Sequence, residues 1–438
     1  MKPGSMATVI SVVLVALSTI ATRAGGQDAS GARLGIMAVG VGTSASPALF
    51  GKRITEAYLT QPNIMGEAWH GPLSVVGTVN FEGYTLRRGE LNAGIYGEGY
   101  VDRRHPHTLM HEAMVALTVP GAFGLRASFA AGKGFTPYGT DDPMMRPFVK
   151  YPVNHHHAQI IERVQAVAAL SSGDAADGRG VAIEYGVFNG DEPAGPFIGP
   201  RWSRVGDSHA ARVTVRAGAS VEAQSSRAFV KSPGFLRGGA FDHRQTSASV
   251  RYDRSNIGVR GVRGVRGVRG VRYALLEVAR TDEGDRSGLA FRYESALAEA
   301  TYEWRGATVS LRGEQTERPE NERLLDPFRI ASGHIDFQIT GVTRWRVATV
   351  GFAAPPQSLA GLRGMSNVPF IEVARANAIA RRQPAVFEPR NFYGNATQWS
   401  VSAGVRMQVG SMRDRMGRYG VLAASGAGAR RGQHGMSM

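Results

Sequence analysis

Apolar and polar residues alternate along several stretches of the chain, with the period of two that indicates β-strands whose two faces have different surroundings. In Trp399–Gly410, the odd positions hold Trp, Val, Ala and Met, and the even positions hold Ser, Gly, Arg and Gln. The same alternation occurs in His334–Val347, Val181–Val187 and Ala211–Arg216. Segments of ten to twelve residues exceed the roughly 5 to 6 that are usual in soluble sheets. They match the roughly 9 to 11 residues with which a tilted strand crosses a bilayer.

Fourteen such strands are predicted, and the connections between them alternate in length. Pro120-Gly121-Ala122 and Arg305-Gly306 suit tight turns, whereas the intervening connections are long. Short periplasmic turns and long extracellular loops are typical of outer-membrane barrels. We therefore predict an all-β fold, a transmembrane antiparallel β-barrel of about 14 strands. The strands are expected at residues 74–85, 108–119, 123–132, 157–170, 179–189, 208–217, 220–230, 245–253, 271–280, 289–304, 306–316, 334–349, 366–376 and 398–410.

The beginning of the chain indicates export. Lys2 precedes the apolar run Met6–Ala21, and small residues flank a cleavage position after Ala24. This is the organisation of a secretory signal peptide, which we assign to residues 1–24. Export followed by barrel formation predicts the outer membrane of a diderm bacterium. Outer-membrane lipid and the barrel-assembly machinery are then the expected partners.

The rest of the chain divides around the barrel, which is expected to span residues 74–420. Residues 25–73 form either a periplasmic segment or one more hairpin, and the hairpin would give sixteen strands. Residues 258–272 repeat Gly-Val-Arg five times. We interpret the repeat as an expanded periplasmic turn, with a basic hook for an acidic partner as the alternative. The low-complexity tail, residues 421–438, is predicted to be disordered.

Composition removes several classes of function. The 438 residues include 56 glycines, an excess that disfavours a helical bundle, and no cysteine, which excludes disulfides and a thiol nucleophile. Most of the net charge of +15 lies in the leader, the repeat and the tail, so we predict no nucleic-acid binding. No phosphate-binding loop is present, and Gly206-Asp207-Ser208 has no supporting triad. We therefore expect no enzymatic activity.

Arginines on the polar faces of the strands are the candidate pore-lining residues. A barrel that turns its apolar face to lipid keeps a polar lumen, and arginines there would favour anions weakly, because carboxylates such as Glu82 and Asp336 oppose them. The prediction is a porin-like channel for passive passage of small solutes, by analogy a homotrimer. The alternatives are a metal-binding or surface-interaction barrel with a loop-plugged lumen, and a soluble periplasmic β-protein. The candidate arginines are Arg126, Arg163, Arg212, Arg216, Arg344, Arg346 and Arg406.

Histidine-rich motifs carry a resemblance to a known group. VDRRHPHTLMHE (Val101–Glu112), PVNHHHAQ (Pro152–Gln159) and FNGDEP (Phe188–Pro193) occur in this order. The chain resembles a group of largely uncharacterised porin-like outer-membrane barrels that share an Asp-Arg-x-His-Pro-His segment and a later His-His. The similarity covers roughly residues 101–349 and implies the same fold, but no reaction. Thr108 stands where the resemblance implies an acidic residue.

The histidines also suggest metal chemistry. His105 and His107 precede the second predicted strand, and His155 and His157 lie at the start of the fourth. Strands separated by one neighbour are about 10 Å apart, so these rings could approach one another at the extracellular mouth. Imidazoles in such an arrangement suit Zn or Cu. The alternative is that the rings lie singly at the lipid headgroups or bond to loop carboxylates. The same rim is expected to hold His111, His209, His243 and His334.

Overall fold

The structure is a computed structural model, and its description covers most of the chain between residues 30 and 421. The assigned signal peptide, residues 255–268 of the repeat region, residues 422–438 and His105 lie outside the described residues. The described residues are 30–46, 53–86, 107–121, 124–140, 142–173, 178–191, 193, 195–199, 202–231, 241–254, 269–319, 342–357, 365–381, 388–413 and 415–421.

Sixteen antiparallel strands form a closed barrel in which each strand pairs with its neighbours in sequence and β16 pairs with β1. Each of the fourteen predicted strands corresponds to one of them, and the hairpin β1–β2 adds two. The alternative of sixteen strands is therefore confirmed. The strands are β1 (Ser30–Ser46), β2 (Ile54–His70), β3 (Leu73–Asn80), β4 (Met110–Pro120), β5 (Leu125–Gly134), β6 (Arg163–Ser172), β7 (Gly180–Phe188), β8 (Ser208–Arg216), β9 (Val221–Val230), β10 (Asp242–Asp253), β11 (Arg269–Asp285), β12 (Gly288–Trp304), β13 (Ala307–Pro319), β14 (Val342–Ala353), β15 (Met365–Ala380) and β16 (Thr397–Gly410).

The two faces of the barrel differ as the alternation predicts. Ile183, Val213 and Val401 point outward and are 51%, 41% and 44% exposed, whereas the adjacent Arg212 and Ser402 point inward and are buried. Apolar side chains on the outside of a closed barrel are stable in lipid, and a closed barrel leaves no unpaired strand edge there. The architecture is therefore that of a transmembrane barrel.

β14 is an exception, because its faces are the reverse of the predicted ones. Trp345 and Val347 are buried inside the barrel, and the alternating Arg344 and Arg346 lie on the outward face. The assignment of these two arginines to the pore is wrong. The physical reason is local: Trp345 donates its indole N–H to Thr343 Oγ1 within the barrel, and a neighbouring carboxylate holds Arg344 on the outside, at 2.6 Å from Glu317 Oε1.

β1 escaped the strand prediction because both of its faces carry apolar residues. Leu34 and Ile36 point outward, but Met37, Val39 and Val41 point inward and are buried. The inward residues pack against chain that fills the lumen, including Met144 and Val149. An apolar lumen filling thus removes the alternation that reveals a strand.

Connections alternate between the two ends of the barrel. We call the end that holds the β2–β3, β4–β5, β8–β9 and β12–β13 turns the turn end, and the opposite end the loop end. The described helices are short: α1 (Glu82–Thr85), a 3-10 helix (Pro143–Met145), α2 (His155–Ala158) and α3 (Pro389–Tyr393). None of the helices in the described ranges is long and apolar enough to cross a membrane.

Candidate functional site: the barrel lumen

The connection between β5 and β6 folds into the barrel over its described residues, 135–140 and 142–162, and we call these residues the lumen loop. Its backbone binds inward carboxylates on strands far away in the sequence. Val149 N and Lys150 N donate to the two carboxylate oxygens of Glu372 on β15, at 2.7 and 2.9 Å, and Val153 N donates to Glu314 on β13 at 2.7 Å. Because buried amides need acceptors, these glutamates fix the path of the loop across the lumen.

Buried charges of the lumen loop are paired with the wall. Arg146 Nη2 donates to Glu277 Oε2 at 3.1 Å, and Thr140 Oγ1 donates to the same oxygen at 2.8 Å. Burial lowers the pKa of Lys150 to about 8, although the nearby Glu314 acts in the opposite direction. A charge that is buried away from water, such as that of Arg146, needs an opposite charge or hydrogen-bond partners. The loop is thus held as a charged and hydrogen-bonded insert.

One glycine is required for this insert. Gly139 has a φ of +74°, which favours glycine, and a Cβ at this position would collide with the carbonyl oxygen of Ala158 on the returning part of the loop. Its amide donates to Ser226 Oγ on β9 at 3.0 Å. The two limbs of the lumen loop can therefore lie against each other beside the wall.

A second insert follows the last strand. The described residues 411–413 and 415–421, which we call the C-terminal segment, leave β16 beside β1 and turn into the lumen. Arg413 donates to Glu112 on β4 at 2.5 Å, and Arg415 donates to both oxygens of Glu222 on β9 at 2.6 and 2.8 Å. The segment thus crosses from the β1–β16 wall towards the opposite side of the barrel.

The end of the C-terminal segment is bound by a cluster of charged side chains. Arg418 donates to Thr214 Oγ1 at 2.8 Å and to Glu222 Oε1 at 3.2 Å, and Tyr419 Oη donates to Glu112 Oε1 at 2.6 Å. Burial, together with the neighbouring charges of Arg212 and Arg415, lowers the pKa of Arg418 to about 9. Arg212, Arg415 and Arg418 here share two carboxylates, those of Glu184 and Glu222, so positive charge exceeds negative charge within this group.

The two inserts contact each other. Arg418 Nη2 donates to the carbonyl oxygen of Thr140 at 3.1 Å, and Phe135 N donates to Tyr419 Oη at 3.0 Å. Arg212 on β8 joins both, because it donates to Gly139 O at 3.2 Å and to Gly417 O at 2.7 Å. The lumen loop, the C-terminal segment and the wall form one connected network.

The structure separates the predicted pore-lining arginines into four groups. Arg163 and Arg212 point inward but are buried, and Arg212 donates to both oxygens of Glu184 at 2.6 and 2.7 Å. Arg406 is partly buried and lies 3.5 Å from the carbonyl oxygen of Arg146. Arg126 and Arg216 are partly exposed on the inward face at the turn end, and Arg344 and Arg346 lie outside.

Sequence reasoning missed the partners of these arginines. Two of the inward glutamates could have been found from the sequence: Glu184, which alternates with apolar residues of β7, and Glu314 on β13. The role of Arg413, Arg415 and Arg418 was hidden, because they follow the last strand and resemble a basic tail. Nothing in a linear pattern shows that such a tail returns into the barrel.

The histidines do not meet as predicted. His157 Nδ1 lies 3.1 Å from Thr281 Oγ1 on β11, and His155 packs edge-on against Tyr151. His107 instead lies beside His111 and Glu162, the one group of three potential metal ligands within the described ranges. The expected pairing of His107 with His155 or His157 in one metal-ligand group is therefore wrong for the described residues.

Comparison with known proteins gives similarity to solved barrels. The chain is similar to the anion-selective porin from Comamonas acidovorans (12% identity, TM-score 0.47, covering 86% of this chain and 99% of that chain). It is also similar to the outer membrane channel DcaP of Acinetobacter baumannii (8% identity, TM-score 0.47, covering 88% of this chain and 99% of that chain). A third similar structure is OmpT of Vibrio cholerae in its trimer form (11% identity, TM-score 0.44, covering 88% of this chain and 100% of that chain). No protein-family model and no curated protein matches the chain.

Proposed function

We propose that the protein is a porin-like channel of the outer membrane, through which small solutes diffuse along a lumen narrowed by two inserts. The observation that carries this proposal is the closed sixteen-stranded barrel, with lipid-compatible side chains outside and charged side chains inside. A barrel of this strand number is wide enough for an aqueous channel. The lumen loop and the C-terminal segment reduce that channel and restrict passage to small molecules.

A weak preference for anions is part of the proposal. Arg126 and Arg216 lie on the inward face at the turn end, and Arg216 is within electrostatic range of Arg126 and Arg415. Glu222, which faces Arg216 across the β8–β9 pair, already receives Arg415 and Arg418. Excess positive charge in a confined, poorly screened space attracts anions.

Single-channel recording of the refolded chain in a planar bilayer tests the proposal. We expect discrete conductance steps and, under a KCl gradient, a reversal potential on the anion-selective side of zero. The Arg126→Glu, Arg216→Glu double variant should move that potential towards cation selectivity, whereas Arg346→Glu on the outward face should not. A well-folded barrel without conductance would contradict the channel.

The second candidate, a barrel with a plugged lumen that binds a partner, is favoured by the extent to which the inserts fill the lumen. The absence of conductance in the full chain, together with its appearance after removal of the C-terminal segment, would support this candidate.

Cross-linking in native membranes would test the proposed homotrimer. Dependence of heat-modifiable gel mobility on the barrel-assembly machinery would test the proposed route of insertion.

A further inference from the structure

A buried cluster of potential metal ligands lies at the loop end of the lumen. One ligand atom each from His107, His111 and Glu162 lies within 4.8 Å of the other two, and all three residues are buried. His111 Nδ1 is 2.6 Å from Glu162 Oε1, and the same oxygen is 4.0 Å from His107 Nδ1. The rings of His107 and His111 meet edge to face, with centroids 4.9 Å apart.

Local backbone irregularities bring these residues together. The β3–β4 register shifts between Thr78 and Val79, which leaves His111 in a bulge. Its ring thereby packs against Phe135 of the lumen loop, with centroids 5.2 Å apart. Glu162 ends the lumen loop with a φ of +57°, in the left-handed region that non-glycine residues seldom adopt.

The His111 ring is held in one orientation. The residue is 0% exposed, and its Nε2 atom has no hydrogen-bond partner among the described residues. The His111 ring is therefore oriented through Nδ1, which faces Glu162 and is the atom available to a ligand in the cluster.

We propose that His107, His111 and Glu162 bind one borderline divalent metal ion, Zn²⁺ or Cu²⁺. Two imidazoles and one carboxylate are a donor set that zinc accepts while keeping a fourth position for water. Bonds of about 2.0–2.1 Å put tetrahedral ligand atoms about 3.4 Å apart. The ion would replace the proton between His111 and Glu162, separate that pair by less than about 1 Å and draw His107 closer.

The charges around the cluster set the conditions of binding. The negative charges of Glu162 and Asp142 favour a bound cation, whereas the positive charges of Lys133 and Arg163 oppose it. The Lys133 ammonium group is held beside the cluster by Thr108 Oγ1 and by the carbonyl oxygen of Met110. Removal of the Lys133 charge should therefore strengthen binding.

Zinc titration of the refolded full chain by calorimetry tests the site. We expect saturable binding of one Zn²⁺ at pH 7.5, weakened by about tenfold or more in His107→Ala and in Glu162→Gln, and strengthened in Lys133→Met. His243→Ala is the matched control, because His243 pairs with Glu283 at 3.1 Å at the same end of the barrel. His243→Ala, His155→Ala and His157→Ala should each bind zinc as the wild type does.

Heat-modifiable gel mobility shows whether each variant is folded. If Glu162→Gln does not assemble, His107→Ala alone tests the loss of zinc binding. No saturable zinc binding by the wild type would overturn the site. Loss of binding in His155→Ala or His157→Ala, with His107→Ala unaffected, would overturn it too and would return the metal to the arrangement expected from the sequence. Both results are independent of conductance, so they separate this proposal from the channel.

Discussion

Glutamates on the inward faces of the strands are the residues on which the lumen network depends. Glu184 receives Arg212 and Arg418, Glu222 receives Arg415 and Arg418, and Glu372 receives two backbone amides. Replacement of a complete buried pair by apolar residues can be harmless, but removal of one partner leaves an uncompensated charge. Single substitutions at these glutamates should therefore be far more damaging than substitutions at exposed ion pairs.

Glu184→Leu should destabilise the barrel by about 3–5 kcal/mol, because Arg212 loses its buried carboxylate partner and Arg418 is left to share Glu222 with Arg415. Glu303→Leu is the control, since Glu303 is partly exposed and lies 3.5 Å from Arg254; we expect a change of about 0–1 kcal/mol. Urea unfolding in lipid vesicles measures both. Equal effects would mean that the lumen pair is solvated.

Because burial lowers the pKa of Lys150, the free energy of unfolding should rise with pH. Its pKa of about 8 in the folded protein lies below the value of the unfolded chain, so between about pH 8 and 10.4 the unfolded state binds more protons. Stability should increase through this window by up to about 3 kcal/mol. Unfolding of the wild type at pH 7.5 and pH 9.5 should show the rise, and Lys150→Met should lose a large part of it; an unchanged rise in this variant would exclude Lys150 as its source.

At the scale of elements, the inserts and the wall determine each other's residue patterns. β1 carries apolar residues on both faces because the lumen loop covers its inner face, and β14 places Trp345 inside and its arginines outside. In β1 the environment of the inner face depends on an element that is distant in sequence, whereas in β14 it depends on Thr343 and on Glu317 of the paired strand. The C-terminal segment is the most separable of these elements, because it follows the last strand.

Truncation after Gly410 should raise single-channel conductance, because it removes Arg413, Arg415 and Arg418 together with the chain they hold in the lumen. Truncation after Val421 is the matched control and should leave conductance unchanged. Heat-modifiable mobility confirms that each barrel is closed. Equal conductance of the two truncated chains would show that the C-terminal segment does not narrow the channel.

The faces of β14 can be tested with the cysteine-free chain. A spin label at Ala348→Cys should be relaxed by oxygen dissolved in the lipid, because Ala348 shares the outward face with Val350 and Phe352. A label at Thr349→Cys should be protected, since Thr349 is 1% exposed inside the barrel. The reverse result would restore the faces expected from the alternation alone.

At the scale of the whole molecule, closure depends on a continuous ring of strand pairs. β10 and β11 pair from Asp242 with Gly284 to Asp253 with Tyr273. This pairing does not include residues 269–272 of the Gly-Val-Arg repeat, which lie within β11; the rest of the repeat is outside the described residues. The length of the repeat should therefore have little effect on closure.

Deletion of Gly258–Arg263 removes two copies of the repeat and should change neither assembly nor conductance, because the remaining copies still connect β10 to β11. Deletion of Arg244–Ser249 in β10 is the control and should prevent assembly. Heat-modifiable mobility and conductance are the measurements. A loss of assembly in the repeat deletion would show that the repeat has a structural role.

The sequence by itself determined the class of fold, fourteen of the strands and their outward faces in segments such as Ala211–Arg216, because alternation records lipid on one side and polar groups on the other. It also placed Arg212 on the inward face of β8. Tertiary structure alone decided what each inward residue contacts. Glu184 meets Arg418, and His107 meets Glu162, through contacts between segments that are far apart in sequence. A filled lumen also allows apolar residues such as Val39 to face inward, so the local pattern no longer identifies the face.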